Sequence, residues 1–149
     1  MIKNVSILTM QDQTEIIENG FVGMKDGKIA YLGAKEPEGY EDAYTIEGKN
    51  HVAMPPLVNA HTHSAMTFLR SYADDLPLDK WLNEKVFPME AKLTDDKIYE
   101  YSKIAIKEYL TSGITANFDM YISPDPVIQA SVDMGFRTVM TGGLNDFTQ

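Results

Sequence analysis

His61-Thr62-His63 is the group of residues in this chain best placed to do chemistry. The two imidazoles end the apolar run Leu57-Val58-Asn59-Ala60, which sits directly behind Met54-Pro55-Pro56. In an extended strand, residues i and i+2 share a face. Two imidazoles at that spacing, at the end of a buried strand, can hold one metal ion together. Histidine is the commonest neutral nitrogen ligand for zinc and iron. A bare His-x-His is a weak motif, and two satisfied polar histidines near a strand end are its bland alternative. The surrounding sequence decides between them.

The elements that must position the pair fall into two zones divided at Pro55-Pro56. Residues 1–54 are strand-like and rich in turns. Val5–Leu8, Ile16-Ile17, Phe21–Met24, Ile29–Leu32, Tyr44–Ile46 and His51–Met54 form short β-type runs, predicting a small, mostly antiparallel sheet. Asp26-Gly27 between two apolar runs is a strong hairpin signal. Lys35-Glu36-Pro37-Glu38-Gly39 reads as a polar loop. Beyond the prolines the period changes. Leu57–Ala60 reads as a short buried strand, and Ser64 to about Tyr72 as a short helix. Leu78, Trp81, Leu82 and Val86 share a helical face that Pro88 is expected to stop. Thr94 is a candidate N-cap for a helix bearing Ile98, Tyr101, Ala105 and Tyr109, which ends near Gly113. Ile114–Asp119 is a second strand. Pro126 opens a helix to about Met134, and Phe136–Thr141 is a third strand. Strand, helix, strand, helix, strand implies parallel strands with right-handed crossovers. Three strands do not close a barrel, which takes about 250 residues. The order therefore predicts the start of a barrel that stops after its third strand, with a compact three-stranded α/β domain as the alternative. The unprotected end at Phe147-Thr148-Gln149 favours the former.

Composition bounds the function. The chain has 149 residues, 44% apolar and 23% charged, which suits a folded domain. Its formal net charge is -9, from 13 basic against 22 acidic residues. Such a surface argues against nucleic-acid or anionic-membrane partners. With no cysteine, disulfides, thiolate zinc sites and the deaminases built on Cys-x-x-Cys are excluded. A cytoplasmic setting fits that usage. No targeting stretch and no membrane span is visible.

The run from Met54 to Met66, Met-Pro-Pro-Leu-Val-Asn-Ala-His-Thr-His-Ser-Ala-Met, resembles the first barrel strand of the amidohydrolase superfamily. The continuation from Leu69 to Leu78, with Trp81-Leu82, is similar to the branch of 5-methylthioadenosine/S-adenosylhomocysteine deaminases and related chlorohydrolase-like enzymes. The resemblance covers essentially the whole chain and is most specific from Pro55 to Leu93. It implies an α/β fold: the start of a (β/α)8 TIM-like metal-dependent hydrolase barrel over residues 55–149, preceded by part of a small β-sandwich-type domain over residues 1–54. It further implies that His61 and His63 are metal ligands for one divalent ion, zinc or else iron. Glu90 matches a glutamate that binds ribose hydroxyls, its alternative being a solvated helix-end carboxylate. Trp81 is given a share in the substrate pocket, its alternative being a helix anchor in the core. Asp119 matches no family role and is expected to cap or hydrogen-bond. His51 is expected to be unrelated to the metal.

The reaction so implied is hydrolytic deamination of a purine nucleoside-like small molecule: a metal lowers the pKa of water toward neutrality and hydroxide attacks the amino-bearing carbon. The family's proton-moving glutamate and histidine lie later in its sequences, so no catalytic residue falls in this chain, which alone is expected to be inactive. A homo-oligomer of the full-length protein is compatible with this reading. The alternatives are another amidohydrolase, such as a guanine deaminase or triazine chlorohydrolase, and a non-catalytic fragment or structural module. Pro56 departs from the pattern, standing where the family usually has glycine. The absent middle and last strands would supply the remaining histidines and an aspartate.

Overall fold

The computed structural model describes residues 1–11 and 15–143. The terminal Phe147-Thr148-Gln149 therefore lies outside the described residues. The chain divides into two compact units, Met1–Pro55 and Pro56–Gln149.

The first unit is a five-stranded sheet. Strands β1 (Ile2–Leu8), β2 (Ile16–Lys25) and β3 (Lys28–Gly33) pair antiparallel in sequence, and the short β4 (Ile46–Glu47) and β5 (Val52–Ala53) both pair parallel with β1. Asp26 and Gly27 sit at φ 52° and 72° between the partners Lys25 and Lys28. This is the positive-φ geometry that a two-residue hairpin turn needs. Ile16-Ile17 and Phe21–Met24, read as separate runs, belong to one strand. Both β4 and β5 add to β1, so the described residues of this unit form one sheet. Its core is Val5, Ile7 and Val22.

The second unit alternates strand and helix. Strands β6 (Leu57–Thr62), β7 (Ile114–Tyr121) and β8 (Arg137–Gly142) form a parallel sheet in that order. Proline at 56 does not delay β6, because the Leu57 N–H already donates to the Gly113 carbonyl at 3.0 Å. A 3-10 segment, Ser64–Leu69, follows β6. Next comes α1 (Leu78–Lys80), a π-helical stretch over Trp81–Val86, and α2 (Phe87–Glu90). Pro88 does not stop this helix. Proline lacks an N–H and crowds the carbonyl four residues back. The wider π turn just before it relieves both, with the Phe87 N–H reaching the Leu82 carbonyl.

Helix α3 (Asp95–Thr111) starts at Thr94, which has extended geometry but makes no side-chain cap bond. Its carbonyl accepts from the Lys97 and Ile98 N–H groups, and Asp95 and Asp96 face the positive end of the helix dipole. Ile98, Ser102, Ala105 and Ile106 are buried on α3. Burying each isoleucine is worth about 1.5–3 kcal/mol. Helix α4 (Pro124–Asp133) begins two residues before the expected Pro126 and, with Phe136, packs on α3 around Ile106 and Ala130.

The expected burial of the first barrel-type strand is corrected. Leu57 and Val58 are 55% and 65% exposed, because β6 is an edge of a three-stranded sheet. The cross-strand pair Phe118 and Val139 is also largely exposed, at 44% and 58%. Among the described residues no helix is long and apolar enough to cross a membrane.

Gly113 ends α3 at φ 78°, and a Cβ there would meet no atom within 4 Å. The cost of Gly113→Ala is therefore purely conformational, and urea unfolding should show a loss of about 1–2 kcal/mol.

Candidate metal and substrate site

His61 lies in β6 and His63 one residue past its end. Their rings meet edge to face with centroids 5.0 Å apart. The β6–β7 ladder is irregular between Asn59 and Thr62, so strand pairing alone does not aim the two rings. Side chains do that work. His63 Nδ1 lies 2.8 Å from the Met120 carbonyl on β7. A carbonyl only accepts, so Nδ1 donates, and in the neutral ring Nε2 keeps its lone pair. That is the form in which an imidazole binds a metal, oriented by a bond at its other nitrogen.

The residues flanking His63 are tied back to α3 and β7. The Tyr109 hydroxyl is 2.7 Å from Thr62 Oγ1 and 3.1 Å from Ser64 Oγ. Asn117 Nδ2 donates to Ser64 Oγ and to Asp119 Oδ2, both at 3.3 Å. Asp119 is fully buried and accepts the Ser64 N–H at 3.2 and 3.3 Å. The hydrogen-bonding role expected for Asp119 is thus what the structure shows. Its partner Asn117 carried no signal beyond sharing a strand face with Asp119 and Tyr121 at i, i+2, i+4.

His63, Trp81 and Glu90 line one cleft of about 230 Å³, with Met66, Leu82 and Tyr121 among its walls. Trp81 is half-buried in that wall and is not part of the fully buried core. Glu90 is only 8% exposed, which overturns its reading as a solvated helix-end carboxylate. Burial pushes the Glu90 carboxyl above the ordinary carboxylate value, partly offset by Tyr121 and by the charge of His63. The Tyr121 hydroxyl makes no hydrogen bond of ordinary geometry among the described residues. Burial, then the Glu90 charge, push the Tyr121 phenol far above its usual value and keep it neutral. His51 belongs to the first unit, where its Nδ1 lies 3.0 Å from the Lys49 carbonyl.

Residues 52–148 match the Amidohydrolase family. The chain belongs to that family. It is 44% identical over 145 residues to a 5-methylthioadenosine/S-adenosylhomocysteine deaminase of Syntrophomonas wolfei, covering 97% of this chain and 33% of that protein. The chain thus spans about a third of the length of the curated relatives it matches. In structure it is similar to an adenosine deaminase from Xanthomonas campestris with bound zinc, at 27% identity and TM-score 0.75 over 93% of this chain and 32% of that one. It is also similar to the zinc complex of atrazine chlorohydrolase TrzN from Arthrobacter aurescens, at 23% identity and TM-score 0.81 over 95% and 35% of the two chains. That last likeness bears on fold alone. Within the amidohydrolase chain described here, His61 and His63 fit a zinc-type donor set as two of the three or four protein ligands such an ion takes. No group of three or more potential ligands occurs among the described residues.

The raised Glu90 value fixes a sign for stability. Well below the ordinary carboxylate value Glu90 is protonated in both states and costs nothing. As pH rises toward and through the raised folded value, the unfolded chain has already released its proton, so stability falls. Glu90→Gln lacks that fall. Urea midpoints should show the variant gaining on the wild type as pH rises above the ordinary carboxylate value.

Proposed function

We propose that these residues form the opening strands of a (β/α)8 barrel in a zinc-dependent aminohydrolase acting on an adenosine-type nucleoside, such as 5-methylthioadenosine or S-adenosylhomocysteine. The observation that carries this is the convergence of His63, Trp81 and Glu90 on one cleft. The resemblance gave each a role separately, from positions far apart in sequence. The parallel order β6-β7-β8 and the uncovered Phe118–Val139 pair suit strands that continue into a larger sheet. The deaminase names of the relatives support the substrate class. In this reading residues 1–54 are part of the accompanying β-domain, the substrate is a small molecule, and the setting is cytoplasmic.

When bound, a divalent metal lowers the pKa of water toward neutrality and so supplies the nucleophile for the amino-bearing carbon. This chain's residues do the rest of what can be assigned. His61 and His63 would hold the ion, His63 through Nε2. Glu90, once ionised, accepts two sugar hydroxyls; its near-complete burial strengthens those bonds and removes competition from water. Trp81 offers a flat apolar wall with an N–H edge. Met66, Leu82 and Ile122 add apolar lining to the cleft.

Three variants test this in the protein expressed from its complete reading frame. His61→Ala and His63→Ala should each abolish stoichiometric zinc binding and turnover, read by metal analysis and ammonia release. Glu90→Gln should raise KM for the nucleoside by about tenfold or more, since hydrogen bonds to charged groups are worth about 1.5–3 kcal/mol. An unchanged KM would remove ribose recognition from Glu90. Because only ionised Glu90 accepts both hydroxyls, nucleoside affinity should weaken on acidification at a higher pH than an ordinary carboxylate would give.

A further inference from the structure

We propose that Asp119 is a positioning residue for the metal pair: its buried carboxylate pins the peptide after His63 and thereby aims the His63 ring. The proposal rests on the reading of His61 and His63 as ligands.

Asp119 is 0% exposed, and its side chain accepts from the Ser64 N–H and from Asn117 Nδ2, both neutral donors. A carboxylate in such a place is costly unless its hydrogen bonds do something a smaller polar residue would not. Its two oxygens share the Ser64 N–H. The next residue, Met120, accepts a hydrogen bond from His63 Nδ1 through its carbonyl at 2.8 Å. Two consecutive residues of β7 thus hold two consecutive residues beyond the end of β6. That grip falls just past the point where the ladder loses its register, between Asn59 and Thr62. It also falls where the chain must turn, with His63 at φ -131° and ψ 78° leading into the 3-10 segment. The N–H groups that open a helical segment need acceptors, and Asp119 supplies the first from a neighbouring strand. The Thr141 hydroxyl bonds the Asp119 carbonyl at 3.2 Å, tying this point to β8 as well.

Without the carboxylate, the Ser64 N–H loses its acceptor, and the peptide after His63 loses that restraint. His63 is then held less firmly in the geometry that keeps Nδ1 on the Met120 carbonyl. Asn117 depends on Asp119 in the same way, because its Nδ2 bridges Asp119 and Ser64 Oγ.

The test uses Asp119→Ala, Asp119→Asn and a control, Ser131→Ala, in the protein expressed from its complete reading frame. Ser131 is buried in the same unit and bonds Thr138 Oγ1 at 2.8 Å, apart from the histidines. Zinc dissociation constants are measured by chelator competition, and the zinc-free His63 ring is followed by 15N NMR. Loss of an outer partner of a ligand costs about 10–100-fold in metal affinity. Asp119→Ala is expected toward the upper end of that range. Asp119→Asn, which keeps one accepting oxygen but turns an amide toward the Asn117 donor, is expected near the lower end. In both, the zinc-free His63 ring should change from one Nδ1-protonated form to a mixture of tautomers. If Asp119→Ala does not fold, Asp119→Asn alone carries the test. A folded Asp119 variant that binds zinc within about twofold of wild type overturns the proposal, as does an equal loss in Ser131→Ala. If the wild type binds no zinc, the ligand reading fails instead; the NMR tautomer still decides whether Asp119 aims the ring.

Discussion

The bond from His63 Nδ1 to the Met120 carbonyl is the constraint on which the functional side of this molecule depends. It crosses from the end of β6 to the end of β7, so it exists only when the two strands pair parallel and in this register. It decides which ring nitrogen holds the proton and therefore which one is free to bind. It also fixes His63 in the cleft that Tyr121 and Glu90 line. Helix α3 backs this arrangement from behind. Its Tyr109 hydroxyl touches both Thr62 and Ser64, while its buried isoleucines anchor it to the rest of the unit.

The polar groups behind the histidines form a connected set in a buried setting: Thr62, Ser64, Tyr109, Asn117 and Asp119. Such networks rigidify when satisfied and are costly when cut, because each orphaned group loses its water without a replacement. Only the Asn117 Oδ1 and Tyr121 hydroxyl atoms are left without a hydrogen bond among the buried side-chain atoms of the described residues. Glu90 shows the opposite balance. Its burial raises the energy of the charged form, a local strain on stability that suits a group kept for binding.

Much of the fold was legible in the sequence where local chemistry decides the outcome. Asp26-Gly27 made the hairpin because only such residues take its positive φ values easily, and Gly113 ended α3 for the same reason. The histidine spacing located the candidate site, since a period of two is a strand property. What the sequence could not show depends on neighbours distant along the chain. Exposure of Leu57 and Val58 follows from which strands flank β6, not from their own apolar character. The passage of the helix through Pro88 needed a π turn, which no residue type announces. Glu90 is buried in a cleft it shares with His63 and Tyr121, residues distant along the chain, so the residue alone could not exclude the alternative of a solvated helix-end carboxylate. Asp119 was expected to hydrogen-bond, but its partner, the Ser64 N–H, is a backbone group 55 residues away that leaves no mark in the sequence.

The central claim is that the two histidines are a preformed pair of metal ligands, aimed by β7. The most direct measurement is a crystal structure of the protein from its complete reading frame, grown with zinc, with anomalous data collected on both sides of the zinc edge. The account predicts a single strong peak bonded to nitrogen atoms of both His61 and His63, Nε2 in the case of His63, with His63 Nδ1 still on the Met120 carbonyl. Zinc bound elsewhere, or a His63 ring turned so that Nδ1 faces the ion, would contradict it.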